Sequence, residues 1–239
     1  MLAYPVNNKP IDYTKKVFIQ PKLDGVRCLI QYQNPGGIGF HGQVIAYSRT
    51  GKEWKNINHI LAMLVPFFNK YPNVVLDGEL YNHDFKDDFE SIISMVRKTK
   101  PTDEDRSISR ENVQFHCYDI VDETKTFEER NKFIQGEFPN TQYIKCVKTF
   151  EIGSLNGSAE EYAKLQHQKN LDKGYEGSIV RTNDIYKCGR SWSLRKFKDF
   201  EDSEALLLDW VEGLGKTYNT HSLHLVYRLL VFLSRLCSF

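Results

Sequence analysis

The sequence predicts an α+β fold. Short runs rich in Val, Ile, Phe and Tyr, bounded by Gly, Pro, Asn or Asp, are typical of strands. Segments with apolar residues three and four positions apart are typical of helices. The two kinds of segment are mixed without the strict alternation that a parallel α/β sheet requires, and the chain has no internal repeat and no low-complexity linker.

Six strands are predicted from the first kind of segment, and they are spread along the whole chain. In order they are Val17–Gln20, Val26–Tyr32, Val74–Leu76, Val113–Ile120, Ser178–Arg181 and Ala205–Val211. All are rich in the β-branched and aromatic residues that favour strands.

Four helices are predicted between these strands. The spacing of apolar residues indicates helices over Ile57–Leu64 and Phe89–Val96. Capping-box pairs indicate the start of two more: Thr126 with Glu129, and Ser158 with Glu161. Pro66 is expected to kink or end the first helix, and Gly174 to stop the last.

The final stretch differs in composition. After Glu212 there is no acidic residue, and Leu223–Phe239 is dominated by Leu, Val and Phe with Arg228 and Arg235. This predicts one amphipathic or buried helix that packs on the body of the protein. A membrane-surface contact is the alternative, although the basic face is thin for that role.

The composition narrows the function classes. With 32 Lys and Arg against 31 Asp and Glu, the net charge is +1, so any contact with nucleic acid must come from a local cluster of cations. No apolar run is long enough for a membrane helix, and the start of the chain does not resemble a signal peptide. The 5 cysteines show no C-x-x-C spacing, which disfavours a zinc site or disulfides and predicts a cytoplasmic protein.

The strongest local signal is the segment Lys22-Leu-Asp24-Gly25-Val-Arg27, between two predicted strands. Lysine beside a glycine turn, with a carboxylate two residues on, suits a nucleophilic amine, and glycine permits close approach of a ligand. Such an amine must be neutral to attack, which neighbouring cations or burial favour. A hairpin with solvated charges is the alternative for this segment taken alone.

Five further elements follow in a fixed order and complete a family pattern. They are Ser48-Arg49-Thr50-Gly51, Leu76-Asp77-Gly78-Glu79-Leu80, Phe115-His-Cys-Tyr118-Asp119, Glu176-Gly177-Ser-Ile-Val-Arg181 and Leu194-Arg195-Lys196-Phe-Lys198. Together with the Lys22 segment they resemble the motifs of the covalent nucleotidyltransferases, and most closely those of small viral and bacterial ATP-dependent DNA ligases. Arg195 stands where the family pattern has a second leucine.

The resemblance implies a reaction and its catalytic residues. Lys22 would attack the α-phosphate of ATP to form lysyl-AMP, AMP would pass to the 5′-phosphate at a nick, and the 3′-hydroxyl would then displace it. Lys196 and Lys198 would stabilise the charge on the phosphates. If both instead lie on an exposed strand face, they are solvated charges.

The resemblance also implies the binding residues. Arg27, Glu79 and Tyr118, with the three lysines, would hold the nucleotide, and Tyr118 would stack on adenine unless it is ordinary strand packing. Glu176, Glu79 and Asp24 would hold Mg²⁺ or Mn²⁺. Arg49 and Arg190 would contact DNA phosphates. The partner would be nicked double-stranded DNA, and the protein a monomer.

Four cations at Arg190, Arg195, Lys196 and Lys198 form the local cluster that the near-neutral total requires. Arg27 and the segment at 48–51 favour DNA ligases over RNA ligases. Capping enzymes share the Lys22 motif and remain an alternative.

The family pattern divides the chain into two parts. It implies a nucleotidyltransferase domain of two antiparallel sheets flanked by helices over residues 1–201. In DNA ligases an OB-fold follows, but only 38 residues lie beyond Glu201, and a five-stranded barrel needs roughly 45. Residues 202–239 are therefore predicted to be a truncated start of that fold with an apolar tail, which would slow lysine adenylylation. A core that binds nicks or nucleotide but seals poorly is the alternative.

Overall fold

The structure, a computed structural model, describes residues 1–6, 9–34, 42–153 and 158–198, and the backbone of two further strands over 205–213 and 222–229. The chain divides into two compact units, Met1–Lys198 and Asp199–Phe239. No helix of the described residues is long and apolar enough to cross a membrane.

The first unit contains two five-stranded sheets. The first sheet has the order β1-β10-β9-β2-β8, and the second has the order β4-β3-β5-β6-β7. Their strands are β1 (Leu2–Pro5), β2 (Val17–Lys22), β3 (Val26–Gln33), β4 (Gln43–Ser48), β5 (Val75–Tyr81), β6 (Gln114–Ile120), β7 (Ile144–Cys146), β8 (Phe150–Ile152), β9 (Gly177–Thr182) and β10 (Arg190–Phe197). Neighbouring strands are antiparallel except for one edge pair in each sheet, β1 with β10 and β7 with β6.

Five helices flank the sheets: α1 (Asn58–Lys70), α2 (Phe89–Val96), α3 (Asp103–Asn112), α4 (Phe127–Glu137) and α5 (Ala159–Asp172). The main core lies on the second sheet, where Ile30, Leu76 and Phe115 pack with Leu64 and Phe68 of α1. A smaller core joins β2 and β9 of the first sheet to Ala163 of α5. The α+β class is thereby confirmed, as is the arrangement of two sheets with flanking helices.

The predicted helices are present, and their caps form as expected. The side-chain oxygens of Thr126 and Ser158 each accept a hydrogen bond from the backbone N–H of the Glu three positions on. The carboxylate of that Glu accepts a hydrogen bond from the backbone N–H of the cap residue. Of the two effects expected of Pro66, a kink or an end of the first helix, the end is wrong, because α1 continues through Pro66 to Lys70. The buried apolar face of α1 on both sides of Pro66 outweighs the one backbone donor that proline lacks.

Several elements were not predicted from sequence. β10 is rich in polar and charged residues, β7 and β8 are three residues long, and α3 contains a single apolar residue, Ile108. Strands of this kind are stabilised by the neighbours with which they pair rather than by their own residues.

The described strands of the second unit form one antiparallel pair. β11 (Ala205–Gly213) pairs with β12 (Ser222–Leu229), with Gly213 opposite Ser222. This confirms the predicted strand at Ala205–Val211, and the described residues of this unit contain no barrel. The predicted helix over Leu223–Phe239 is wrong for 223–229, where apolar residues alternate with His224 and Arg228 at the two-residue period of a strand. Residues 230–239 lie outside the described residues.

Candidate active site

Sheet topology brings charged residues of three motifs together at one end of strands β2, β9 and β10 of the first sheet. β9 is antiparallel to both of its neighbours, β2 and β10. The start of β9 therefore lies beside the ends of the other two strands. Lys22, the last residue of β2, is opposite Gly177, and Lys198 directly follows β10.

Glu176 lies at the centre of this edge. Its carboxylate accepts hydrogen bonds from the ammonium groups of Lys22 and Lys198, the latter at 2.7 Å. Burial pushes the pKa of Glu176 upward, but the hydrogen bonds and charges of the two lysines outweigh it and leave the pKa below its usual value. The same contact raises the pKa of Lys198.

Asp24 belongs to this cluster electrostatically. Burial and the negative charge of Glu176 raise its pKa, while Lys22 and Lys198 act in the opposite direction. The two carboxylates and two ammonium groups therefore share one electrostatic environment. Removing either lysine would raise the pKa of both acids, and adding another cation would lower it.

A cavity of about 270 Å³ opens beside Lys22, between the two sheets. The predicted residues Arg27, Arg49, Glu79 and Tyr118 line it together with Lys22. Lys196 pairs with Ile179, which also lines the cavity, so Lys196 lies in the adjacent position on β10. Lys196 has no ion pair within the described part of the chain.

Arg27 is held by a buried acid that the sequence analysis did not assign. Its Nε and Nη2 donate to the two carboxylate oxygens of Asp77 at 2.9 Å, and its Nη1 donates to the Met1 carbonyl at 2.8 Å. The hydroxyl of Tyr186 donates to Asp77 at 2.8 Å. Asp77 belongs to a recognised motif, but no local pattern points to Tyr186.

Glu79 and Tyr118 lie on neighbouring strands of the second sheet. Burial raises the pKa of Glu79 to about 8, with a smaller contribution from the charge of Asp77, while Lys22, Arg27 and a hydrogen bond with Tyr118 oppose the rise. Burial also raises the pKa of Tyr118 well above its usual value. The cavity therefore presents a neutral carboxyl and a neutral phenol at pH 7.

Behind the cavity, a second buried acid joins the two sheets. Asp119 accepts hydrogen bonds from Arg130 Nε and Arg181 Nη1, each at 2.7 Å. Arg181 also donates to Gln20 at 2.8 Å, and its guanidinium carbon lies 5.6 Å from the centre of the Tyr118 ring. This network supports the wall of the cavity that carries Tyr118. The motifs contained Asp119 and Arg181, but no local signal identified Arg130.

Of the two arginines predicted to bind DNA phosphates, Arg49 lines the cavity and Arg190 does not. Arg49 is exposed, lines the cavity and has no ion pair among the described residues. Arg190 is not among the residues that line the cavity. It donates to the Ala3 carbonyl at 2.9 Å and lies over the Tyr4 ring.

One of the four cations predicted to form a surface cluster, Arg195, is buried. Arg195 is only 5% exposed, because its guanidinium donates to the backbone carbonyls of Lys9 and Trp192. The alternation of β10 turns Arg195 to the face opposite Lys196. Arg195 therefore adds no charge to the surface beside Lys196 and Lys198.

Two motif glycines are required by close packing. Gly25 lies against β5, where a Cβ would come within 2.7 Å of the Cγ of Glu79. Gly177 has a φ of +148°, and a Cβ there would collide with the carbonyl oxygen of Phe197. Both allow the strands that carry Lys22, Glu79 and Glu176 to approach one another.

Comparison with known proteins gives one family match. A family model described as ATP dependent DNA ligase domain matches residues 1–198. No curated protein sequence matches the chain.

Solved structures of DNA ligases share the fold. A Lig E DNA ligase, studied as a minimal scaffold for DNA binding, is 22% identical with a TM-score of 0.65, over 96% of this chain and 82% of that chain. The Chlorella virus DNA ligase-adenylate is 22% identical with a TM-score of 0.59, over 88% and 71%. A structure named Pmar-Lig_Pre. is 23% identical with a TM-score of 0.68 over 90% of this chain, and the chain spans only about half (49%) of its length.

Proposed function

Because the chain belongs to the family of ATP-dependent DNA ligase domains, we propose that it is the catalytic core of an enzyme that seals 5′-phosphate/3′-hydroxyl nicks in double-stranded DNA, acting as a monomer. The observation that carries the proposal is the meeting of Lys22, Glu176 and Lys198 at one sheet edge, beside a cavity that Arg27, Glu79 and Tyr118 line.

In the proposed reaction Lys22 is the nucleophile. Its Nζ, once deprotonated, attacks the α-phosphorus of ATP, an N–P bond forms, and the bond to the pyrophosphate oxygen breaks. An oxygen of the 5′-phosphate at the nick then attacks the same phosphorus, which breaks the N–P bond and frees Lys22. Finally the 3′-hydroxyl attacks the 5′-phosphate, and AMP leaves.

The remaining residues position these groups and balance charge. Lys196 and Lys198 stabilise the negative charge that develops on the phosphates. Glu79 forms a hydrogen bond with a ribose hydroxyl, and Tyr118 stacks on adenine. The guanidinium carbon of Arg181, which also lines the cavity, lies 5.6 Å from the centre of the Tyr118 ring. Arg49 contacts a DNA phosphate beside the nick. Arg27, whose donors are used by Asp77 and Met1, shapes the cavity wall beside the ribose.

The acids of this site could bind a divalent cation only together with oxygen ligands from the substrate. The described residues contain no group of three or more His, Cys, Asp or Glu side chains that could hold a metal alone. Asp24 and Glu176 are close enough to influence each other, and Glu79 lines the adjacent cavity. These oxygen ligands with phosphate oxygens suit Mg²⁺ or Mn²⁺, which would neutralise phosphate charge when bound.

Adduct formation tests the proposal directly. With α-labelled ATP the protein should acquire a covalent label, and Lys22→Ala should abolish it. Lys15→Ala, which removes an exposed lysine near the start of β2, should label normally. Lys22→Ala should still seal a pre-adenylated nick, because that last step does not use the amine.

Labelling by GTP in preference to ATP would contradict the ligase proposal and favour a capping enzyme. Loss of pre-adenylated nick sealing in Lys22→Ala would contradict the role given to Lys22.

A further inference from the structure

A histidine after β5 contacts the segment that leads into Glu176. His83 begins a short 3₁₀ turn, His83–Phe85, and its Nε2 donates a hydrogen bond to the backbone carbonyl of Lys173 at 2.9 Å. The centre of the His83 ring also lies 4.6 Å from that of the Tyr175 ring. Lys173 is three residues before Glu176, and Tyr175 is one residue before it. His83 therefore contacts both the backbone and a side chain of this segment, which joins α5 to β9.

The direction of the hydrogen bond from His83 is set by Tyr81, the last residue of β5. A carbonyl oxygen can only accept, so in a neutral imidazole the proton is on Nε2. Nδ1 then accepts a hydrogen bond from the Tyr81 hydroxyl at 2.6 Å. Tyr81 is only 2% exposed, so packing holds its ring in place. The two hydrogen bonds therefore connect β5 of the second sheet to the end of α5, which packs on the first sheet.

The hydrogen bonds within the segment itself do not use the Lys173 carbonyl. The N–H of Gly174 donates to the carbonyl of Leu171 at 2.7 Å, and the N–H of Tyr175 donates to the carbonyl of Asn170 at 3.1 Å. These bonds close the end of α5, and Gly174 has the positive φ, +80°, that such a helix end favours. They fix the shape of the turn, whereas the hydrogen bond from His83 fixes its position against the second sheet.

The position of the segment matters because Glu176 must reach two lysines at once. Its carboxylate accepts hydrogen bonds from Lys22, at the end of β2, and from Lys198, directly after β10. A displacement of the segment would lengthen at least one of these hydrogen bonds and release the amine of Lys22 from its place beside the cavity. A misplacement of about 1 Å in a reacting group can slow a reaction roughly 100-fold.

Another histidine makes the same kinds of contact away from the site. His59 Nε2 donates to the Val113 carbonyl at 2.9 Å, and its ring centre lies 5.2 Å from that of Tyr143. These contacts join α1 to residues that directly precede β6 and β7 of the second sheet. A histidine–carbonyl hydrogen bond by itself therefore does not indicate a role in the site. His83 differs because its hydrogen bond connects the two sheets and ends beside Glu176.

We propose that His83, oriented by Tyr81, is a positioning residue that holds Glu176 where its carboxylate orients the amine of Lys22 for attack on ATP. The inference rests on the proposed function, because the step that it concerns is lysine adenylylation. His83 does not line the catalytic cavity. It acts through the segment before Glu176 and not by contact with the nucleotide.

Three variants separate positioning from packing. His83→Ala removes both contacts with the segment, His83→Gln keeps a nitrogen donor close to the place of Nε2, and His59→Ala is the matched control. Single-turnover formation of labelled lysyl-AMP gives the rate constant at saturating ATP and the ATP concentration at half the maximal rate. Hydrogen exchange of the peptide that contains residues 173–176 reports on the segment without any chemistry.

His83→Ala should lower the rate constant at saturating ATP roughly 10- to 100-fold, because Glu176 no longer holds the amine in place. The ATP concentration at half the maximal rate should change less than about twofold, because the cavity lining is intact. Hydrogen exchange of residues 173–176 should be faster than in wild type. His83→Gln should return the rate to within about threefold of wild type and slow the exchange again. His59→Ala should change neither the rate nor the exchange.

A wild-type rate in His83→Ala would overturn the inference, and so would a His83→Gln variant as slow as His83→Ala, because the hydrogen bond would then not be the cause. The proposed function fails separately, if wild type forms no adduct with ATP. In that case the exchange measurement still decides whether His83 holds the segment: faster exchange in His83→Ala alone supports that placement, and unchanged exchange refutes it.

Discussion

Replacing Glu79 by Gln should make the stability of the free protein less dependent on pH. Burial raises the pKa of this carboxyl to about 8, and the charge of Asp77 adds to the rise, against the opposing effects of Lys22, Arg27 and Tyr118. Glutamine has nearly the shape of the protonated acid and cannot ionise. The variant therefore removes one titration and preserves the packing of the cavity wall.

The direction of the pH dependence of stability follows from which state, folded or unfolded, keeps the proton on Glu79. Between the usual pKa of 4.5 and the folded value of about 8, the folded protein keeps a proton on Glu79 that the unfolded chain has released. The free energy of unfolding must therefore fall as pH rises through this window. The separation is about 8 − 4.5 = 3.5 units. Each unit is worth about 1.4 kcal/mol, so the upper limit is roughly 5 kcal/mol.

Glu79 is only partly buried, and water reaching it will reduce this limit. We expect Glu79→Gln to be more stable than wild type by about 2 kcal/mol at pH 8 and to differ little at pH 5. Urea unfolding at several pH values, followed by tryptophan fluorescence, measures the difference. Taking the difference between the two proteins cancels the titrations that they share.

The matched control is Glu123→Gln, which neutralises an exposed carboxyl with no ion pair in the described part of the chain. Its stability should run parallel to wild type at every pH. If Glu79→Gln also runs parallel to wild type, the raised pKa of Glu79 and the reasoning from its burial are refuted.

Two further substitutions test the buried ion pairs and the close strand packing around the site. Asp119→Ala leaves two buried guanidinium groups, of Arg130 and Arg181, without their acid. Urea unfolding should therefore show a loss of about 3–5 kcal/mol in the free energy of unfolding, and a loss below about 1 kcal/mol would contradict the proposed joining of the two sheets through Asp119. Gly177→Ala should cost about 2 kcal/mol or more and slow lysyl-AMP formation, because its φ and the Phe197 carbonyl leave no room for a Cβ. Gly136→Ala, in α4 with open space around it, should instead be neutral or stabilising, and equal losses in the two glycine variants would argue against the packing explanation.

Local features of the chain were readable from sequence because they depend on neighbours a few residues away. The capping boxes at Thr126 and Ser158 involve partners three positions on, and both form. The Lys22 motif was identified as a site of chemistry from six consecutive residues. The prediction failed where the local pattern fitted both a helix and a strand. The many apolar residues after Leu223 favoured a helix, but residues 223–229 form a strand that pairs with β11.

The charge pattern shows the same limit. Four cations close together in sequence predicted one surface cluster, but the strand alternation of β10 buries Arg195 against backbone carbonyls. Lys52 and Arg97, in contrast, line one cavity although they lie about 45 residues apart in the sequence. A count of charges along the chain detects the first grouping and cannot detect the second.

The sequence by itself determined the family, the α+β class and the identity of the candidate nucleophile, because each is written in short runs of residue types. Only the tertiary structure decided which side chains contact one another in the site. Glu176 meets Lys22 across 154 positions, and Tyr186 meets Asp77 across 109. Such contacts follow from strand order and register, which place the start of β9 beside the ends of β2 and β10. Register is set by which faces can be buried together, and no local stretch of sequence contains that information.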